Sequence, residues 1–115
     1  MEKALILEYF RAVDEHDISA LLAVFHADIT YERPGYPPFV GLERLYQFYT
    51  AERVIALGQH FLEEIVVEGQ AGACWGRFIG AKHDGSPVDI KFVDTYTFED
   101  GKIKTRKTFF FQPAV

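Results

Sequence analysis

Hydrophobic and polar positions along this chain turn from a mainly helical period to an unbroken run of strands near residue 58. Residues 2–15 carry Leu5, Ile6, Tyr9, Phe10 and Val13 on one stripe, which predicts an amphipathic helix. Asp17 reads as the N-cap of a second helix over 17–25, with Leu21, Leu22 and Phe25 on its inner face. Ile29 and Tyr31 alternate with Thr30 and Glu32, a short strand over 27–33. Pro34-Gly35-Tyr36-Pro37-Pro38 cannot hold regular structure and predicts a loop. A third helix is expected over 41–56, with Leu42, Leu45, Phe48, Tyr49 and Val54 on one side and Gly58 stopping it.

Beyond that point the period is two. Strands are expected over 60–68, 72–82, 86–98 and 102–112, with turns at Gly69-Gln70, Asp84-Gly85 and Asp100-Gly101. Helices followed by a meander predict one α+β domain over 1–115, with three helices on one face of a curved, mainly antiparallel sheet. The third long strand organises the rest. Val88, Ile90, Phe92, Asp94, Tyr96 and Phe98 share one face, and Asp94 alone interrupts its apolar character. An ionised carboxylate there loses hydration unless something pairs with it. Asp94 is therefore salt-bridged, uncharged, or lining a cavity. Even turns would set Trp75 opposite Asp94, Arg77 opposite Phe92 and Ile79 opposite Ile90, and bring His60, Leu62 and Glu64 to the same face. For the last strand two registers stay open: Arg106 and Phe110 inward, or Lys107 and Phe109 inward.

Composition narrows the function classes. Apolar residues make up 49% of the chain and aromatic residues 16%, enough for a packed core and a ring-lined pocket. The formal charge of −5 comes without a basic stripe, which argues against nucleic acid as a partner. A single cysteine, Cys74, allows no internal disulfide and no cysteine-ligated zinc; it reads as an inert buried thiol. His16, His26, His60 and His83 are scattered, so no metal site is expected, and no cofactor is implied. No apolar run reaches the ~20 residues of a membrane span. The N-terminus reads as the start of an amphipathic helix rather than a signal peptide, and a soluble, cytoplasmic protein is expected.

Tyr9-Phe10-Arg11-Ala12-Val13, Asp17, Leu21-Leu22-Ala23-Val24-Phe25 and the run from Ala27 to Pro34 resemble the opening of the ketosteroid isomerases. So does Val93-Asp94-Thr95-Tyr96-Thr97-Phe98 followed by Asp100-Gly101-Lys102-Ile103. More broadly the chain resembles the nuclear-transport-factor-two-like superfamily with its SnoaL-like polyketide cyclases. The resemblance implies a cystatin-like cone, in which a curved sheet wraps a long helix around a blind apolar pocket, and a homodimer formed on the outer sheet face. It also implies an oxyanion hole built from a helix Tyr and a protonated strand Asp, a property of that family and not one read from these residues. By residue, Tyr9 matches the Tyr and Asp94 the Asp. The family's general-base position falls at Arg33, and a guanidinium cannot accept a proton near neutral pH.

The candidate site is assembled from these readings. Tyr9 and Asp94 would hydrogen-bond a developing enolate oxygen, and His60 would move the proton, with Glu64 as the next choice of base. Arg33, Trp75, Arg77, Phe92 and Tyr96 would bind substrate. Two Arg facing one apolar cavity would suit a carboxylate- or enolate-bearing ligand. Each residue also has a structural reading: Asp94 in a salt bridge to Arg77 or to a cation of the last strand, Tyr9 in the core, His60 as a satisfied wall residue. Tyr36, in the proline-rich loop, would edge the mouth of the cone. The expected function is an isomerase- or cyclase-like enzyme acting through an enol on a small apolar carbonyl compound. The alternative is a non-catalytic ligand-binding or dimerisation module. Third is epoxide hydrolysis, which the superfamily performs with two Asp and an Arg around a water; no second inward Asp is evident in the sequence.

Overall fold

The computed structural model describes residues 2–112. Helices α1 (Glu2–Asp14) and α2 (Ile18–Ala23) precede strand β1 (Phe25–Glu32). A two-residue β2 (Phe39–Val40) then leads to α3 (Leu42–Gln47) and a π-helical turn (Phe48–Glu52). The strands β3 (Ile55–Glu68), β4 (Ala71–Lys82), β5 (Pro87–Glu99) and β6 (Lys102–Phe110) complete the chain. All six strands form one sheet in the order β2-β1-β6-β5-β4-β3, antiparallel except where β1 runs parallel to β6. The helices pack on its inner face, burying Ile6, Phe10 and Val13 of α1 and Leu45 of α3. Among the described residues, no helix is long and apolar enough to cross a membrane.

The third helix is shorter than its periodicity predicts. It is α-helical only to Gln47; the chain then widens into the π turn, closed by the Arg53 amide donating to the Phe48 carbonyl at 2.8 Å. A bidentate Arg44–Glu52 pair spans that turn, at 2.7 and 2.8 Å. β3 consequently starts at Ile55, five residues before the expected position, and Gly58 lies inside it. There the missing Cβ leaves room for the Phe78 ring. β2, which the sequence suggests only as loop, is pinned by pairing of Thr30 with Val40 and Tyr31 with Phe39.

The sheet register corrects one strand. Between β4 and β5 the connection is a three-residue loop, with Ala81 opposite Pro87 and Gly85 at φ +87°. This is the turn-plus-left-handed-residue hairpin that glycine permits, and not the even two-residue turn. One residue of offset turns the whole of β4 over. Cys74, not Trp75, stands opposite Asp94, and Phe78, not Ile79, opposite Ile90. Trp75, Arg77 and Ile79 therefore lie on the outer face, and Arg77 binds Asp89 there instead of Asp94. β3 undoes the error. Its pairing with β4 slips at Glu63, between Leu62 opposite Gly76 and Glu64 opposite Trp75. This bulge sends Glu64 outward and returns Leu62 and His60 to the inner face. β6 adopts the first of its two registers: Arg106 pairs with Tyr96 and Thr108 with Asp94, so Arg106 and Phe110 turn in and Lys107 and Phe109 turn out.

Candidate active site

The site begins with one unavoidable debt: Asp94 is fully buried. Three donors converge on it. The Thr108 hydroxyl donates at 2.5 Å to one oxygen, while an Arg106 Nη at 2.9 Å and the Tyr96 hydroxyl at 3.3 Å donate to the other. Thr108 stands directly across from Asp94, and Arg106 one pair further along, so the β5–β6 register itself sets this geometry. Tyr31 of β1 hydrogen-bonds Thr108 at 2.8 Å, and an Arg33 Nη donates to the Tyr31 hydroxyl at 3.3 Å.

Arg106 is 4% exposed and bridges the two groups that the resemblance pairs. Its second terminal nitrogen donates to the Tyr9 hydroxyl at 2.8 Å and the Tyr49 hydroxyl at 3.2 Å, and these phenols are 2.6 Å apart. The guanidinium also lies over the rings of Tyr9 and Tyr31, 4.2 and 4.6 Å from their centroids. Burial works against its charge, but Asp94 and the phenols of Tyr31, Tyr9 and Tyr49 outweigh it and hold the pKa well above the ordinary arginine value. Arg106 is thus a fixed charge and a donor, never a proton carrier. Burial also raises the phenols of Tyr9, Tyr49 and Tyr96. Cys74, 3.5 Å from the Tyr96 hydroxyl, is pushed up to about 12 by burial and then by Asp94.

A small cavity of about 40 Å³ lies beside this network. Asp94, Arg106, Thr108, His60, Phe92 and Arg53 are among its walls; Tyr9 and Tyr49 stand behind Arg106. At roughly 10–15 Å³ per water the space holds about three waters. Arg33 closes one side, with its guanidinium 5.1–5.7 Å from the ring centroids of Phe48, Phe110 and Tyr36. A separate recess of about 250 Å³, lined by Tyr36 of the loop and by the outward-facing Lys107 and Phe109 of β6, lies at the surface.

His60 forms another wall, packed against the rings of Phe10, Phe78 and Phe92. Asp14, the last residue of α1, accepts its Nδ1–H at 2.6 Å and its backbone N–H at 2.8 Å. That bond leaves Nε2 with the lone pair. Burial lowers the imidazole pKa below its usual value, and the two contributions of Asp14 oppose this without reversing it. His60 is therefore a neutral, oriented imidazole at neutral pH.

Of the residues the sequence proposes for the site, Arg33, His60, Phe92 and Asp94 line this cavity; Tyr9 and Tyr96 do not, and lie behind Arg106 and Asp94 as their hydrogen-bond partners. Trp75 and Arg77 are not brought there, because β4 is turned over. Asp14, Tyr49, Arg53 and Thr108 were missed. Asp14 sits one turn beyond Phe10 on the stripe of α1, a spacing that could have flagged it. Arg53 and Tyr49 owe their positions to the π turn, which no periodicity reveals.

Among the described residues one side-chain cluster has metal-ligand spacing: His26, Glu99 and Asp100. The Asp28 amide donates to His26 Nδ1 at 3.0 Å, so the neutral ring carries its proton on Nε2, toward Glu99 and Asp100 at 3.3 and 3.4 Å. A metal would need that nitrogen bare. The cluster is a ring N–H shared between two carboxylates, not a ligand set.

A SnoaL-like domain model matches residues 6–106. The chain belongs to the SnoaL-like family. No curated protein matches the sequence significantly. Among solved structures, an NTF2-like protein of unknown function from Burkholderia pseudomallei superposes with a TM-score of 0.86 at 20% identity, covering 94% of this chain and 88% of that one. SalBIII, an epoxide hydrolase/cyclase-like enzyme with a role in pyran ring formation in the polyether salinomycin, gives 0.82 at 23% identity over 94% and 88%. An LEH-like epoxide hydrolase from M. tuberculosis gives 0.81 at 16% over 93% and 80%. At these identities the likeness shows the fold, the NTF2-like cone, which structures described as SnoaL-like polyketide cyclases and as epoxide hydrolase-like enzymes share.

Proposed function

We propose that this SnoaL-like protein is an isomerase- or cyclase-like enzyme that moves a proton at a carbon next to a carbonyl. The observation carrying this is the Asp14–His60 pair: an oriented, neutral imidazole on the wall of the same cavity as a fixed guanidinium. His60 Nε2 takes the proton as general base. Arg106 supplies the positive charge for the developing enolate oxygen. Tyr9, Tyr49 and Asp94 position Arg106, and Asp14 positions His60. This reading gives the role that the resemblance assigns to Asp94 to the arginine that Asp94 holds, and takes His60 as the base in place of the residue at Arg33.

Deuterium exchange from D2O into small 1,3-dicarbonyl compounds tests this. Exchange is expected in the parent, lost in His60→Gln, and reduced by about 10²-fold or more in Asp14→Asn. Absence of exchange across the panel, or full exchange in His60→Gln, refutes it.

The size of the cavity favours a second reading, a non-catalytic pocket that binds one small group. Ligand binding without exchange is its signature. Epoxide hydrolysis fits less well. Asp94 and Arg106 share the cavity, but Asp14 lies behind His60 in an outer groove. We also propose a homodimer through the outer sheet face, where Trp75, Val93 and Phe109 form one exposed apolar row across β4, β5 and β6. Sedimentation of Val93→Glu as a monomer and of the parent as a dimer is the expected outcome; a monomeric parent refutes it.

A further inference from the structure

Most donors around the inner cavity are already spent. An arginine has five N–H groups. One terminal nitrogen of Arg106 gives both of its own to Tyr9 and Tyr49, at 2.8 and 3.2 Å, and the other nitrogen gives one to Asp94 at 2.9 Å. The Arg106 Nε is buried and presents no surface to the cavity. A single N–H is left, on the nitrogen that Asp94 holds. Thr108 spends its proton on Asp94, and Arg33 donates to Tyr31. His60 keeps its Nε2 lone pair for a proton, because Asp14 takes the Nδ1–H. Among the polar side chains lining the space, Arg53 is the one whose donors are uncommitted. Its guanidinium makes no hydrogen bond or salt bridge among the described residues.

Arg53 is also held at its backbone from two sides. Its amide closes the π turn on the Phe48 carbonyl at 2.8 Å, and its carbonyl accepts the Nε2–H of His83 at 3.0 Å. The Val54 carbonyl accepts the His83 amide at 3.1 Å. The charge at the tip is felt by His60 on one wall and by Tyr9 and Tyr49 behind Arg106. We infer that Arg53 is a catalytic residue, the hydrogen-bond donor to the oxygen of the bound carbonyl. The inference rests on the proton-transfer reading of this cavity and names the group that completes it. The inner space of about 40 Å³ has room for about three water-sized groups, the scale of a carbonyl with the carbon beside it. With the carbon toward His60 and the oxygen toward Arg53, Nε2 takes the proton. The C–H electron pair becomes the new C=C bond, and the carbonyl π pair moves onto oxygen. Arg53 meets that oxygen with charge-assisted N–H bonds, and Arg106 adds its fixed charge. Return of the proton from His60 to carbon reverses each step. A clamped backbone delivers the guanidinium with little reorganisation.

Acetylacetone in D2O tests this on the parent, Arg53→Met, Arg53→Lys and His60→Gln. Deuterium exchange should fall about 10²-fold in Arg53→Met, the loss usual for one oxyanion donor. Arg53→Lys keeps a charged donor and should keep part of the rate, which separates chemistry from folding. Ultraviolet absorbance of the enolate gives a second readout that needs no turnover. Bound acetylacetone should ionise at lower pH than in water in the parent and in His60→Gln, and that shift should vanish in Arg53→Met. By NMR, the His60 ring should titrate at higher pH in Arg53→Met, because a neighbouring cation is gone. Exchange in Arg53→Met as fast as in the parent, no enolate shift in the parent, or an unmoved His60 titration overturns the inference. An enolate shift lost with Arg53, in a parent that does not exchange, leaves the donor standing and removes the base. Exchange that is lost in His60→Gln and undiminished in Arg53→Met does the reverse.

Discussion

Removing one partner of the Asp94–Arg106 pair should nearly unfold the domain, whereas removing both should cost little more. Asp94 is 0% and Arg106 4% exposed, so neither charge reaches bulk solvent. Truncating one side of such a pair costs about 3–5 kcal/mol. The structure supports the upper half of that range for Asp94→Leu, which leaves Arg106 with only two phenol acceptors and takes the carboxylate acceptor from the Thr108 and Tyr96 hydroxyls. Arg106→Met should sit nearer the lower end, because Thr108 and Tyr96 still donate to the carboxylate. For a chain of this length, at about 2 cal/mol/K per residue, 3–5 kcal/mol lowers Tm by roughly 12–20 °C. It also consumes a large share of the ~5–15 kcal/mol that holds a domain together. In the double variant the stranded charge disappears, so a coupling of about 3 kcal/mol is expected. Urea unfolding of the parent, both single variants and the double variant measures it. Single variants costing under about 1 kcal/mol, or costs that add, would show that the pair is solvated or replaceable and that the network does not hold the site.

Three further outcomes follow from the same geometry. Burial holds the His60 pKa below that of the unfolded chain, so the unfolded state binds the extra proton first; this contribution to stability is intact above about pH 6.5 and is lost as pH falls toward the folded pKa. An NMR titration of the His60 ring should show a midpoint below 6.5, lower still in Asp14→Asn; a rise in that variant would contradict the pairing. Cys74, with its pKa near 12 and no exposure, should resist thiol reagents at pH 8 until the protein is denatured, and rapid labelling of the native protein would speak against its burial. Gly76→Ala places a Cβ against the backbone of Phe61 and Leu62, beside the Glu63 bulge, and should cost about 2–3 kcal/mol in chemical denaturation; Gly72→Ala, with looser neighbours, should cost less.

Much of the fold could be read from periodicity, and the exceptions share a cause. On β4 the bulky apolar residues Trp75 and Ile79 occupy the outer face, while the inner face reads Gly72, Cys74, Gly76, Phe78, Gly80. A curled sheet needs small residues where its own strands crowd: Phe78 lies against Gly58 and Gly80. Hydrophobicity alone therefore points the wrong way, and the odd loop at Asp84-Gly85 is visible only in three dimensions. His60 was placed correctly because a second irregularity, the bulge at Glu63, offsets the first. Of the site, the acid on β5 was plain from its isolation among apolar neighbours. Its partner was one of two registers, and Asp14 lay hidden as an ordinary charged residue at a helix end.

The chain has a single tryptophan, and it projects from the convex side of the sheet. Its emission will respond to whatever settles on that side, including a second copy of the protein, and will stay silent while the interior fills. A fluorescence screen for ligands would thus return false negatives, and a shift seen during such a screen would be a sign of assembly.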